Sequence, residues 1–396
     1  QNPGAHGHPP QPQPQRGKSA DRSGGRQGER QRHGPKADKL TLPKNIAANE
    51  MLITAQDLNN YINDIFLHAG ASQEIATEVT DHLVAANLKG HDSHGVGMTP
   101  AYVRNIRADL LKVDAHAEVI KDNGAVMVID GRFGFGQVVG REAVDIAKQR
   151  VADTGVVCMG VRNCHHLGRI GTYAEHCAAD GLVSIHFVNV VGHEPQVSPW
   201  GGRDRRMTTN PFAVAVPRKT EPPVILDMAT SAIALGKVRV AHNSGNQVPE
   251  DVLVDHEGSP TTDPSVMYKE PFGALGPFGK HKGYGLAVMC ELLGGALAGE
   301  WTAQPENPRN NNTVNHMFMC VIDPEAFGGL DRFQHEVDAM VEYLYSTTPA
   351  RGFDQVRVPG DPERETMADR LANGISIDDT TWAGIEKAAE AVGIGS

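Results

Sequence analysis

After an apolar stretch at 126–130 the chain reads Gly131-Arg-Phe-Gly134-Phe-Gly136-Gln-Val-Val-Gly140, and a helical pattern follows. A glycine-rich turn between strand and helix is where a doubly wound fold places its dinucleotide phosphates. The fingerprint breaks here. A GxGxxG opening at Gly134 needs glycine at 139, and Val139 stands there. No acidic residue ends a second strand at the expected distance. The run therefore reads as a turn into a helix, and an α/β fold with such a turn need not be a Rossmann fold.

The texture on either side supports an α/β sheet between helical segments. Thr54 with Asp57 reads as a helix start, followed by Leu58, Ile62, Ile65 and Phe66 at helical spacing. A second helix is expected over 72–89, with Ile75, Val79, Leu83 and Val84 on one face, and a third over 100–111. From residue 125, strands at 126–130, 156–161, 182–189, 212–216, 224–227 and 317–322 alternate with helices at 140–154, 170–179 and 282–297. Helices at 333–345 and 381–392 close the chain. The expected division is a disordered tail over 1–47, a helical part over 48–124, a mixed α/β part over 125–327 and a helical part over 328–396.

Residues 1–36 are rich in Gln, Pro, Gly, His and Arg and carry almost no large apolar side chains. Such a segment cannot bury enough surface to offset chain entropy. A tether to nucleic acid or membrane and an incidental or wrongly started tail are both open readings of it. The net charge of −11 disfavours nonspecific nucleic-acid binding by the rest. No apolar run approaches the roughly 18–20 residues needed to span a bilayer, and residues 1–10 lack the apolar core of a secretory signal, so a cytoplasmic location is expected. Five widely spaced cysteines with no CxxC pair argue against a disulfide framework or a cysteine zinc site.

Four segments could carry chemistry. His91-Asp92-Ser93-His94-Gly95 offers imidazoles that can pass a proton near neutral pH; it also reads as a capped, polar helix end. Asn163-Cys164-His165-His166-Leu167-Gly168-Arg169 follows a strand, where α/β folds place ligands, and Arg169 could hold an anion. Asp227-Met-Ala-Thr-Ser231 offers a carboxylate for a ribose hydroxyl, or a simple helix cap. Phe278-Gly-Lys-His281-Lys282-Gly283-Tyr284-Gly285 combines cations with a helix start, or is a solvated basic turn. A metal cluster of His91, His94, His165, His166 and Asp92 has no HExxH pattern to support it, and GxSxG and P-loop patterns are absent.

Together these segments resemble the type-2 malate/L-lactate dehydrogenase family. The carrying motifs, in order, are HDSHGVGM (91–98), DGRFGFGQVVG (130–140), HHLGRIGTYAEHCA (165–178), PWGGRDRRMTTNPFA (199–213), LDMATSAIALGK (226–237), GSPTTDP (258–264) and HKGYGLAVMCELLGGAL (281–297). HDSHGVGM and SAIALGKVRVA (231–241) look closest to the hydroxycarboxylate dehydrogenase branch. The resemblance implies a non-Rossmann, mixed-sheet α/β domain plus a helical domain formed from both chain ends, a homodimer, and an NAD or NADP cofactor in an extended cleft. It implies a small 2-oxo or 2-hydroxy acid substrate, without membrane or nucleic-acid partners.

The same resemblance assigns roles. His94 matches the family's candidate general acid/base and a cofactor contact, and His166 matches a residue with that catalytic role in some members. Gly168, Arg169 and Ile170 match cofactor positions. So do Ile225, Leu226, Asp227, Met228 and Ala229, and so do His281, Lys282 and Gly283. The late loop Pro359, Gly360, Asp361, Pro362 and Glu363 also matches a nucleotide contact, with Asp361 in place of the usual glutamate. Ser93, Met98 and Tyr102 are the expected substrate-side residues. Met98 stands where many members have arginine, which disfavours a second substrate carboxylate and favours a bulkier apolar 2-oxo acid. Arg203, Arg205 and Arg206 are candidates for a 2′-phosphate, so NAD versus NADP stays open. Alternatives are a cyclic imine 2-carboxylate reductase, a ureidoglycolate-type dehydrogenase, a metal-dependent hydrolase and an inactive binding protein. The dehydrogenase reading requires His94 and His166 to meet in a pocket framed by Asp227 and Lys282.

Overall fold

Thr54 accepts from the Asp57 backbone N–H at 3.1 Å and so starts helix α1 (Ala55–His68), just after a short strand, β1 (Glu50–Ile53). The computed structural model describes residues 50–395, so the tail expected over 1–47 lies outside the described residues. Ser72 caps α2 (Gln73–Leu88) in the same way, and Pro100 sits in the first turn of α3 (Thr99–Arg107). Leu58, Ile62, Ile65 and Phe66 are all fully buried, as their helical spacing predicts. Each such burial contributes roughly 1.5–3 kcal/mol.

The chain then runs through β2 (Glu118–Asn123), β3 (Val126–Asp130), α4 (Gly136–Thr154), β4 (Val156–His165), α5 (Gly171–Ala178) and β5 (Val183–Val191). Next come β6 (Phe212–Val216), β7 (Val224–Met228), α6 (Leu235–Asn243) and the short strands β8 (Leu253–Val254), β9 (Pro260–Thr261) and β10 (Ala274–Leu275). Helix α7 (His281–Cys290) continues as a π-helical stretch over Glu291–Ala298. The chain closes with β11 (Val314–Ile322), α8 (Leu330–Tyr345), α9 (Asp361–Asn373), β12 (Ile375–Asp378) and α10 (Asp379–Ala391).

The main sheet has seven strands in the order β2-β3-β4-β11-β5-β6-β7. Only β3 and β4 run parallel; every other neighbouring pair is antiparallel. A doubly wound nucleotide fold needs successive parallel strands, so this mixed sheet is not one. Its core gathers Ile129, Val144, Met159, Val161 and Met317 between the strands and α4. The second core is helical and draws on both chain ends. Leu58, Phe66, Leu83 and Tyr102 pack with Trp382 and Ile385, and β1 pairs with β12 through Ile53 and Ile375. Among the described residues no helix is long and apolar enough to cross a membrane.

The differences from expectation have physical causes. Helix α4 starts at Gly136 rather than 140, so part of the glycine run is its first turn. Strand β4 extends to His165 rather than stopping at 161. Strand β2 exposes all its residues and α9 buries none, so neither shows a periodic apolar face.

Candidate active site

A cleft of about 560 Å³ lies where β4 and β7 end and the first turns of α6 and α9 begin. His94 reaches it from a tight helical turn at Asp92–His94. Asn87 builds that turn: its Nδ2 donates to Asp92 Oδ1 at 2.7 Å, and its Oδ1 accepts from the Val96 N–H at 2.8 Å. A Cβ at Gly95 would lie 2.1 Å from that same oxygen, which is why glycine follows His94. Arg370 of α9 grips the Asp92 carboxylate with two nitrogens, at 2.6 and 3.0 Å. The Ser93 hydroxyl lies 2.9 Å from His94 Nδ1.

His166 enters just beyond β4. The glycine run explains its placement. A Cβ at Gly136 would stand 2.4 Å from the carbonyl oxygens of both His165 and His166. At Gly140 it would stand 2.6 Å from the Tyr173 ring, and at Gly131 2.8 Å from Cys164 Sγ. These glycines let α4 close onto the strand end. Asn315 of β11 fixes the next residue, accepting from the Leu167 N–H at 2.8 Å. The Tyr102 hydroxyl lies 2.6 Å from His166 Nδ1. The His94 and His166 rings stack with centroids 5.5 Å apart.

Beside them lies a buried charge chain. Arg169, 2% exposed, donates to Glu175 at 2.8 Å, and its Nε is 3.3 Å from Asp227. Asp227 is neither a helix cap for α6 nor free: it accepts from the Gly171 N–H at the start of α5, at 2.9 Å. Lys89 pairs with Glu175. The Arg169 N–H is taken by His82 Nε2 at 3.0 Å. Burial pushes His94 down to about 4, opposed by the Asp227 carboxylate and reinforced by His91 and Arg169. Burial also holds His166 well below the ordinary imidazole value, with His94, His165, His82 and His193 adding to it. Both rings are therefore neutral bases at neutral pH.

Most of the expected residues converge here. Ser93, His94, Met98, His166, Gly168, Arg169, Ile170, Asp227, Met228, Ala229, Pro362 and Glu363 all line the cleft. Others do not. Tyr102 is fully buried behind His166. Ile225 is buried under Pro359, to whose carbonyl it donates, and Leu226 is partly exposed outside the cleft. Gly360 is outside the cleft lining, and Asp361 is held by the Val358 N–H at 2.7 Å, by Tyr345 and by Arg364. The segment expected to be a late loop turns into helix at Asp361. His281, Lys282 and Gly283 open α7 and do not line the cleft, so Lys282 does not frame it with Asp227.

Arg203 borders a separate cavity of about 620 Å³; Arg205 donates to the Gly273 carbonyl and covers Phe272; Arg206 pairs with Asp204. None of the three lines the cleft. Sequence reasoning missed His193, Gln196, Lys237, Thr313 and Asn315, all of which do. Asn315 was readable as a polar residue interrupting the apolar β11. Lys237 was readable as the one cation of the LDMATSAIALGK motif. His193 and Gln196 lie in a loop without periodicity. Among the described residues no three His, Cys, Asp or Glu side chains group as a metal site.

A malate/L-lactate dehydrogenase family profile matches residues 53–386. Hydroxycarboxylate dehydrogenase B of Escherichia coli strain K12 is 44% identical over 342 residues, which cover 86% of this chain and 94% of that protein. The solved structure of a putative malate/lactate dehydrogenase from E. coli superposes with a TM-score of 0.83 at 43% identity, covering 87% of this chain and 96% of the other. A Δ1-piperideine-2-carboxylate reductase from Pseudomonas syringae pvar. tomato gives a TM-score of 0.71 at 28% identity, covering 86% of this chain and all of that one.

Proposed function

This chain belongs to the malate/L-lactate dehydrogenase family, and from that premise we propose that it interconverts 2-oxo acids and 2-hydroxy acids with NAD or NADP, using His94 as general acid/base. The observation that carries this reading is the stacking of His94 on His166 at 5.5 Å in the cleft that also holds Asp227 and Arg169.

The cleft suits a nicotinamide dinucleotide. Arg169, whose Nε is ion-paired with Asp227 at 3.3 Å, brings a buried positive charge to the cleft wall. The first turn of α6 has no side-chain cap, and Lys237 within it lines the cleft. A helix start with a cation favours a phosphate. Asp227, Met228 and Ala229 would flank the ribose side, with Gly168, Arg169, Pro362 and Glu363. Bound there, the nicotinamide would supply or accept the hydride at substrate C2.

The side chains do the rest. In oxidation, neutral His94 takes the hydroxyl proton; in reduction its imidazolium returns one, supported by Asp227. Since His94 is a base above about pH 4, oxidation should hold steady across neutral pH. Reduction should weaken as pH rises, because it needs the scarce protonated form. His94→Ala should lose about 10²–10⁴-fold in turnover while still binding nucleotide. Near-normal turnover would rule His94 out. Fluorescence titration with NADH and NADPH distinguishes the two cofactors, and binding of neither would remove the reading altogether.

Met98 on the cleft wall supports an apolar substrate side chain. We expect higher kcat/KM for phenylpyruvate-type acids than for oxaloacetate; the reverse order would refute this. The likeness to the piperideine-carboxylate reductase favours, as a second reading, reduction of cyclic imine 2-carboxylates; a ureidoglycolate-type substrate is a further variant. We propose a cytoplasmic homodimer as the working form. Met289, Leu292 and Leu297 on α7 and its continuation are exposed apolar side chains suited to a subunit contact, and all five cysteines are free thiols.

A further inference from the structure

The two stacked imidazoles of the cleft are held differently at Nδ1. His94 Nδ1 meets the Ser93 hydroxyl, a rotor that can donate or accept. His166 Nδ1 meets the Tyr102 hydroxyl at 2.6 Å, and the Tyr102 oxygen in turn accepts from Gln137 Nε2 at 2.7 Å. A phenol has a single proton. With the Gln137 amide donating into its oxygen, Tyr102 directs that proton to His166 Nδ1. A neutral imidazole that accepts at Nδ1 carries its own proton on Nε2.

Burial sets the direction of this chain. Tyr102 and Gln137 are both 0% exposed. As oriented, the Gln137 amide leaves only its oxygen without a partner among the described residues. Turned by half a rotation, it would leave buried N–H groups unpaired instead, which is the rarer defect. Gln137 is the second residue of α4, and the helix's first residue, Gly136, is pressed against the His165 and His166 carbonyls. The amide, the phenol and the imidazole are thus set on one packed seam.

The charges around the rings differ as well. The groups facing His166 are His94, His165, His82 and His193, and none of them is anionic. His94 faces Asp227, with His91 and Arg169 on the other sides. Only His94 has a carboxylate able to support an imidazolium.

We infer that Tyr102 and Gln137 are positioning residues that hold His166 as a neutral Nε2–H hydrogen-bond donor to the substrate's C2 oxygen, leaving proton transfer to His94. This rests on the dehydrogenase reading above. In the reducing direction the carbonyl carbon gains a hydride and its π pair moves onto oxygen. That oxygen then takes the proton from His94, while His166 keeps its own.

The test is ¹⁵N NMR of the full chain labelled at histidine, at pH 7, with the His166 signals assigned by their loss in His166→Gln. A protonated Nε2 and an unprotonated Nδ1 are expected, and Tyr102→Phe should convert this into a tautomer mixture. An Nδ1–H tautomer or an imidazolium in the wild-type chain overturns the inference, even if Tyr102→Phe does not fold. This readout needs no turnover, so failure of the dehydrogenase reading would show separately, as absence of hydride transfer with every 2-oxo acid.

Kinetics supply the second arm. His166→Ala should lose about 10²–10³-fold in kcat, the cost of deleting one oxyanion donor. His166→Gln, whose amide N–H takes the place of Nε2–H, should recover to within about tenfold of wild type. KM should change less than kcat, and the pH profile should keep its shape because His94 and its neighbours are untouched. A glutamine variant as inactive as the alanine variant, with the pH limb gone, would make His166 the proton carrier and refute the inference.

Discussion

The two imidazoles stack on each other, yet the chain secures them by opposite means. His94 rides on a turn tied by polar side chains, Asn87 to Asp92 and Val96, and by the Arg370 grip on a half-exposed Asp92. His166 sits at the end of a strand locked by packing: Gly136 against its backbone, Tyr102 and Gln137 behind its ring, Asn315 on the next N–H. Exposed ion pairs are screened and contribute little, whereas buried packing has no alternative arrangement. The comparison teaches that the His166 wall is a rigid reference and the His94 turn an adjustable one.

Acid should break the rigid wall first and by the largest margin. His82 and His165 lie beside His166, and His316 accepts from the Asn163 N–H of the same strand; all three are essentially inaccessible to solvent. Burial pushes His82 and His165 down to about 3 and His316 to about 4. Their folded values lie below the unfolded one, so the stability they contribute is complete above about pH 6.5 and is lost as pH falls towards 4. At about pH 4.5 each group costs on the order of 2 kcal/mol, enough in sum to threaten the fold. Urea melts between pH 7 and 4.5 measure this, and His82→Gln should flatten the slope. A stability independent of pH over that interval would contradict the neutral buried state of these rings.

Gly136→Ala attacks the same wall sterically. The added carbon would stand 2.4 Å from two carbonyl oxygens, and backbone cannot rotate aside as a side chain can. We expect a loss of about 3 kcal/mol in stability, with turnover falling further than nucleotide binding. An alanine variant with unchanged melting temperature and turnover would mean that α4 does not set His166.

On the adjustable side, Gly95→Ala should cost less. Its carbon would collide with Asn87 Oδ1 at 2.1 Å, but Asn87 is a side chain and can yield. Yielding breaks its bonds to Asp92 and Val96, each worth about 1 kcal/mol. Turnover should drop while the melting temperature moves only a few degrees; equal losses of both would show the turn to be as rigid as the wall.

This division also explains what the sequence revealed. The helix caps at Thr54 and Ser72, and the apolar periodicities of α1 and α2, are local signals, and local signals were readable. The glycine run was readable as a failed phosphate loop. Its purpose was not, because the carbonyls it accommodates belong to residues about thirty positions later. Strand order was hidden for the same reason: β11 arrives from beyond residue 313 and inserts between β4 and β5. Motif resemblance named His94, His166, Arg169 and Asp227, and all four line the cleft. It gave no warning that Tyr102 stands behind His166, since a buried tyrosine and a cleft tyrosine look alike in one chain.

The smallest effect should come from Arg370→Ala. Asp92 is about half exposed, so the pair itself contributes at most about 1 kcal/mol. Arg370 also donates to the Asn87 carbonyl, so its loss frees α9 from the His94 turn on two sides. Stability should barely change, and kcat should fall a few-fold as His94 samples more orientations. The wild-type enzyme in high salt should move in the same direction, because screening weakens the same pair. The His166 tautomer should stay as it is, since no part of that wall touches Arg370. If Arg370→Ala instead unfolds the protein or disturbs His166, the two supports form one coupled structure, and the contrast between a rigid wall and an adjustable turn fails.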